Sequence, residues 1–171
     1  MGLASTVLRT RWLVRSPVAL FRTGLGGVFA GRLLLLVHRG RSSGQPRYAV
    51  LEVASRPAPD RYVVVAGLGP RTQWYRNVVA EPRVLVRTGA RPAVRAFAST
   101  LDPDDAARLL AEYPVRSPRA WSTLEPVLRE WAEPLAASRG VADWRRVVPV
   151  VELTPVHRGP VGRARKGRSD P

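Results

Sequence analysis

The chain has 171 residues, with 28 Lys or Arg against 13 Asp or Glu, a formal charge of +15. It has no cysteine, which excludes disulfides, thiolate nucleophiles and cysteine-ligated metals, and with His38 and His157 as its two histidines no metal site is expected. Lys166 is the single lysine, so the positive charge is arginine, the better bidentate ligand for phosphate, and the expected partners are anionic: a phosphorylated small molecule, a lipid surface or nucleic acid.

Residues 1–30 mix Arg9, Arg11, Arg15 and Arg22 with Leu8, Trp12, Leu13, Val14, Leu20 and Phe21. No run reaches the ~18 apolar residues of a membrane-crossing helix, and there is no unbroken apolar core of a signal peptide. This basic-apolar segment reads either as a helix on an anionic membrane surface or as a terminal helix packed on the domain that follows. Gly24, Gly26 and Gly27 lack the spacing and the preceding strand of a dinucleotide fingerprint.

The main domain is expected over 31–157. Leu33 to Val37 is a short continuous apolar run, read as a buried strand. His38 to Gln45 is a turn rich in Gly and Ser. Arg47 to Ala54 alternates as a second strand, with Tyr48, Val50 and Glu52 on one face and Ala49, Leu51 and Val53 on the other. A loop over 56–60 leads to a valine-rich third strand from Tyr62 to Ala66, ended by Gly67 to Pro70. Thr72 is placed to cap a helix running to Ala80, stopped by Pro82. Strands follow over Arg83–Thr88 and Pro92–Thr100. Asp102-Pro103-Asp104-Asp105 then opens a helix whose apolar stripe is Ala106, Leu109, Leu110 and Tyr113. After Ser117-Pro118, Pro126 and Pro134 predict two or three short helical pieces carrying Trp121, Leu124, Leu128, Trp131 and Leu135. Val147 to Leu153 reads as a last strand, with Pro149 at an edge or bulge. Residues 158–171 form a basic tail expected to be disordered. Strands and helices in this order point to α+β with an antiparallel sheet or closed barrel rather than to βαβ units.

Two stretches carry chemistry. Arg39-Gly40-Arg41-Ser42-Ser43-Gly44-Gln45-Pro46-Arg47 combines small residues, hydroxyls and guanidinium forks, the donor types that converge on a phosphate. The same letters match Gly-x-Ser-x-Gly with Ser42 as nucleophile, but that elbow requires a following helix, and Gln45-Pro46 and a strand follow here. The second stretch, Gln73-Trp74-Tyr75-Arg76-Asn77, places aromatic rings at a helix start, where they wall a planar ligand or pack on the core.

Together, His38 to Arg47, then Trp74-Tyr75-Arg76-Asn77 and Pro82, resemble the deazaflavin (F420)-dependent nitroreductase family, which includes the F420H2-dependent quinone reductases. The likeness extends over roughly 33–113. It implies a split β-barrel of the flavin-reductase type, about six mainly antiparallel strands with short flanking helices. The implied cofactor is F420, with FMN as the alternative. Arg41, Ser42 and Ser43 would hold its anionic tail, and Arg47, Tyr48, Ala49, Val50 and Leu51 would run along the deazaflavin edge. Ala66, Gly67, Gln73, Trp74, Tyr75 and Asn77 would close the other side. Tyr113 is the candidate proton donor, with a structural role as its alternative.

Three departures from the family's pattern stand out. Ser42 occupies a position that is often lysine, Gly67 to Thr72 is a shorter loop without lysine, and Tyr113 is the one tyrosine left near the substrate region, beside Arg116 and Trp121. The resemblance implies hydride transfer from reduced deazaflavin to a quinone or nitroaromatic acceptor, a cytoplasmic setting that the N-terminal segment would bring to the inner face of the membrane, and a homodimer. A non-enzymatic protein binding anionic lipid or nucleic acid is the reading from a different class. Arginines scattered along the chain rather than gathered on one helix argue against nucleic acid.

Overall fold

The computed structural model describes residues 32–156. The expectations for the N-terminal segment and the basic tail fall outside these residues. Six strands close into an antiparallel barrel in the order β1-β2-β3-β6-β5-β4. They are β1 (Leu33–Arg39), β2 (Pro46–Ala58), β3 (Arg61–Val65), β4 (Arg83–Thr88), β5 (Val94–Thr100) and β6 (Val150–Pro155). The expected architecture of about six mainly antiparallel strands is the one observed.

Period-two alternation decides which side chains fill the barrel. Leu34 and Leu36 of β1, Val64 of β3, Val84 and Val86 of β4 and Leu153 of β6 point inward and are buried. Small residues complete the lumen, Ala49 on β2 and Ala96 and Ala98 on β5, as a barrel this narrow requires. Helix α1 (Gln73–Ala80) covers one end, packing Trp74, Tyr75 and Val78 onto the lumen cluster.

A second core lies outside the barrel. There α2 (Pro103–Arg116), α3 (Pro118–Ser138) and a 3-10 turn (Trp144–Val147) pack on the outward faces of β3 and β6, around Val63, Leu110, Leu128 and Val150. Asp102 caps α2 as expected, its carboxylate accepting the Asp104 N–H at 2.9 Å.

Four expectations need correction. α3 is one helix of 21 residues, not two or three pieces. Pro126 and Pro134 lie eight residues apart, hence on one face, and that face is exposed, so the carbonyls they leave unbonded meet water. β2 runs on to Ala58, through the stretch read as a loop, and reverses tightly at Asp60, which adopts φ +60°. The last strand begins at Val150, since Pro149 precedes it and a closed barrel has no edge for it to occupy. Thr72 caps nothing through its side chain, because its hydroxyl donates back to Gly69 O and tightens the loop before α1.

Candidate functional site

The turn between β1 and β2 is shaped by its glycines. His38 pairs with Arg47 and Arg39 with Pro46, so Gly40 to Gln45 make the reversal. Gly40 N–H donates to Gln45 O at 2.9 Å and Gly44 N–H to Gly40 O at 2.7 Å. Gly44 has φ +65°, the left-handed region, and a Cβ on Gly40 would stand 2.7 Å from Ser43 Oγ. Ser43 Oγ accepts the Gln45 N–H at 3.3 Å, which leaves its own proton to donate outward. The N–H groups of Ser42 and Ser43 have no acceptor among the described residues. Arg39, Arg41 and Arg47 enter no ion pair among those residues, nor do Arg71 and Arg76 before and on α1. Elsewhere many arginines are matched, as in Arg108–Asp105 and Arg129–Glu125. Open main-chain donors, hydroxyls and unmatched guanidiniums are the donor set of a phosphate site.

The turn is fastened to α1. Arg41 donates from Nη1 to Gln73 Oε1 at 2.9 Å and to Asn77 Oδ1 at 2.9 Å, and its backbone N–H reaches the same Asn77 Oδ1 at 3.2 Å. Asn77 Nδ2 lies 3.2 Å from His38 Nδ1, and both side chains are buried. With Asn77 Oδ1 taking two N–H groups of Arg41, its amide nitrogen faces the imidazole, so Nδ1 accepts and the ring proton sits on Nε2. Burial above all holds the His38 pKa below 6.5; its main-chain bond with Arg39 opposes this, and the nearby Arg47 charge reinforces it.

The loop after β3 is held from the other side. Ala66 is fully buried and its N–H goes to Pro149 O at 2.9 Å. Trp131 of α3 donates from Nε1 to Gly67 O at 2.8 Å, and Gly69, at φ +86°, lies so close that a Cβ there would be 3.2 Å from the indole.

Arg41, Gln73 and Asn77 are therefore joined, with Ser42 and Ser43 exposed on the same turn. Tyr48 and Val50 face outward on β2, whereas Ala49 and Leu51 face the lumen; Arg47 shares the face of Ala49 and Leu51 but stands exposed at the strand's start. Trp74 and Tyr75 meet edge to face with centroids 6.0 Å apart. Tyr113 stands apart from the turn, in the second core, edge-on to Trp121 at 5.9 Å. Its pKa is raised, by burial first and then by the charge of Glu52, so the phenol stays protonated.

Three features were not read from sequence: the buried His38–Asn77 pair, the Trp131–Gly67 bond, and a cavity of about 710 Å³ beside the turn. The cavity lies on the outward faces of β1, β4 and β5. Val37, Leu85 and Phe97 form its floor, with Arg39, Arg83 and Arg95 around them. Alternation carried the signal for His38, which follows Leu34 and Leu36 inward.

The family model of the F420H(2)-dependent quinone reductases matches residues 13–122. The chain belongs to that family. Its cofactor is accordingly F420, and it is an oxidoreductase. Among solved structures, an F420-H2 dependent reductase (FDR-A) is 23% identical, over 71% of this chain and 93% of its own, with a TM-score of 0.43. A protein of the pyridoxinephosphate oxidase family from Clostridium acetobutylicum, related to general stress protein 26, is 7% identical over 80% and 84%, with a TM-score of 0.45. The heme storage protein HutZ from Vibrio cholerae is 13% identical over 75% and 84%, with a TM-score of 0.48. No match is found among curated proteins. Within the family match lie the basic turn and all of α1, and no helix among the described residues is long and apolar enough to cross a membrane.

Proposed function

We propose that this F420-dependent oxidoreductase reduces a small apolar acceptor of the quinone or nitroaromatic class, and that the basic turn holds the anionic tail of its cofactor. The observation that carries the reading is the Gly40–Gln45 turn, where open N–H groups at Ser42 and Ser43 meet arginines with no carboxylate partner among the described residues. A phosphate fits that donor set.

When bound, reduced F420 supplies a hydride from its deazaflavin ring. The chain's own residues bind, orient and exclude water. Arg41 is held toward the turn by Gln73 and Asn77, so its guanidinium is pre-organised before the tail arrives. Arg47 and the outward face of β2 at Tyr48 and Val50 form one wall, and α1 with the Gly67–Thr72 loop forms the other. Trp131 fixes that loop through Gly67, so the wall is rigid. The cavity on β1, β4 and β5 shares His38, Arg39 and Pro46 with the turn region, and its apolar floor suits an apolar acceptor. Tyr113, only 3% exposed, is assigned to packing against Trp121 rather than to proton donation.

The test is a calorimetric titration with F420 and with FMN, followed by turnover of reduced F420 with a naphthoquinone. Saturable F420 binding, tighter than FMN, with quinone-dependent oxidation is expected. Phe97→Asp should raise KM for the quinone and leave the F420 Kd unchanged, and Tyr113→Phe should leave kcat within roughly twofold, since only a group acting in the transition state moves it. FMN binding tighter than F420, or charge-driven binding of nucleic acid or anionic vesicles with no cofactor affinity, would refute the reading.

A further inference from the structure

His38 and Asn77 are the two polar side chains buried among the described residues, at 4% and 5% exposure, and they touch each other. A buried amide and imidazole cost stability unless their hydrogen bonds are made, and once made they admit few other arrangements. Here the bonds run outward to the turn: imidazole Nδ1 accepts from Asn77 Nδ2, and Asn77 Oδ1 accepts both the backbone N–H and Nη1 of Arg41.

We propose that Asn77 and His38 are positioning residues for cofactor binding, Asn77 by fixing the backbone and guanidinium of Arg41 in the tail-binding turn, and His38 by fixing which way the Asn77 amide faces. This rests on the reading that the turn holds the tail of F420.

The chemistry has a direction. A protonated His38 carries N–H at both ring nitrogens, so Nδ1 and the Asn77 amide nitrogen become two donors facing one another. Either the contact breaks or the amide turns over, and in the second case its NH2 confronts the two N–H groups of Arg41. The surroundings oppose that charge. Arg47 pairs with His38 across β2, Arg39 follows it, and Arg41 meets it through Asn77. Glu81 and Arg83, at the end of α1 and the start of β4, line the neighbouring cavity with it, as does Arg95 of β5. Five guanidiniums surround it and one carboxylate offsets them.

The test uses the full chain, with calorimetric F420 titrations from pH 5 to 8 and NMR titration of the imidazole Cε1–H signals. His157→Gln assigns the two histidines. In the wild type, F420 affinity should fall on acidification with the midpoint at which His38 takes up its proton, below 6.5. Asn77→Ala should weaken F420 binding roughly tenfold at pH 7.5, the loss of a charge-assisted contact, and shift the His38 midpoint. In His38→Asn, Oδ1 replaces Nδ1 as acceptor, so affinity should be kept at pH 7.5 and the acid-dependent loss abolished. His38→Leu should bind weakly at every pH. The inference is overturned if Asn77→Ala binds F420 as the wild type does, or if His38→Asn retains the same acid loss. If instead Arg47→Ala and Ser43→Ala leave F420 binding untouched while the His38 midpoint still responds to Asn77→Ala, the assignment of the tail to the turn is what fails.

Discussion

Two glycines in this chain answer to different constraints. Gly44 needs its positive φ to close the basic turn, with open space around it, whereas Gly69 needs both its φ of +86° and its lack of a side chain, because the Trp131 indole lies against it. Gly69→Ala is therefore expected to lower stability by roughly 1–3 kcal/mol, combining left-handed backbone strain with displacement of the ring. Thermal unfolding checks this, and an unchanged Tm would mean that the loop relaxes freely. At this scale the sequence was half legible. The arginines and serines of the turn were legible as a donor-rich stretch, and the resemblance carried by the turn together with Trp74 to Asn77 gave it a role. The His38–Asn77 bond did not, since it joins residues 39 apart, and only the pairing of β1 with the helix that caps the barrel brings them together. The same limit applied to Trp131, which the apolar stripe of its helix marked as core, though its indole N–H serves a loop 64 residues earlier.

Among the elements, the faces of the strands were legible because alternation is a direct consequence of the pleat, whereas the end of β2 and the start of β6 were not. Ala49, Leu51 and Val53 share a face as expected, and the structure turns that face inward; on β5 Ala96 and Ala98 turn inward and Arg95, Phe97 and Ser99 outward. The helices were misread where proline was taken as a break. In α3 the buried side carries Trp121, Leu128, Ala132 and Ala136, and the prolines fall on the opposite, wet side. A proline costs about 3 kcal/mol relative to alanine inside a helix, part of which its stiffness recovers by restricting the unfolded chain. Pro126→Ala should thus stabilise the protein by roughly 1–2 kcal/mol and raise Tm by several degrees in calorimetry. A lower Tm would show that the proline sets a bend on which packing against β3 depends.

At the scale of the whole molecule, closure of the barrel brings the β1–β2 turn against α1, although 36 residues separate Arg41 from Asn77. The fold class was legible from the order of strands and helices, and the family resemblance implied the barrel; the order of neighbours around it was not, because periodicity gives the faces of strands and not their neighbours. The charge of +15 has a matching structural expression, for among the described residues the arginines on helices α2 and α3 often meet carboxylates while those around the turn do not. Their unmatched charge makes cofactor binding an electrostatic event, weakened by salt as screening grows.

The central claim, that the turn reads the anionic tail and not the ring, is tested most directly by comparing F420 with its chromophore stripped of phosphate and tail. Dissociation constants would be measured for both ligands on the wild type and on Arg41→Ala. The account predicts that the wild type prefers intact F420 by at least about tenfold, the worth of one or two charge-assisted hydrogen bonds, and that Arg41→Ala loses most of that preference while holding the bare chromophore as before. Equal affinity of the wild type for the two ligands, or a preference that survives Arg41→Ala intact, would contradict it.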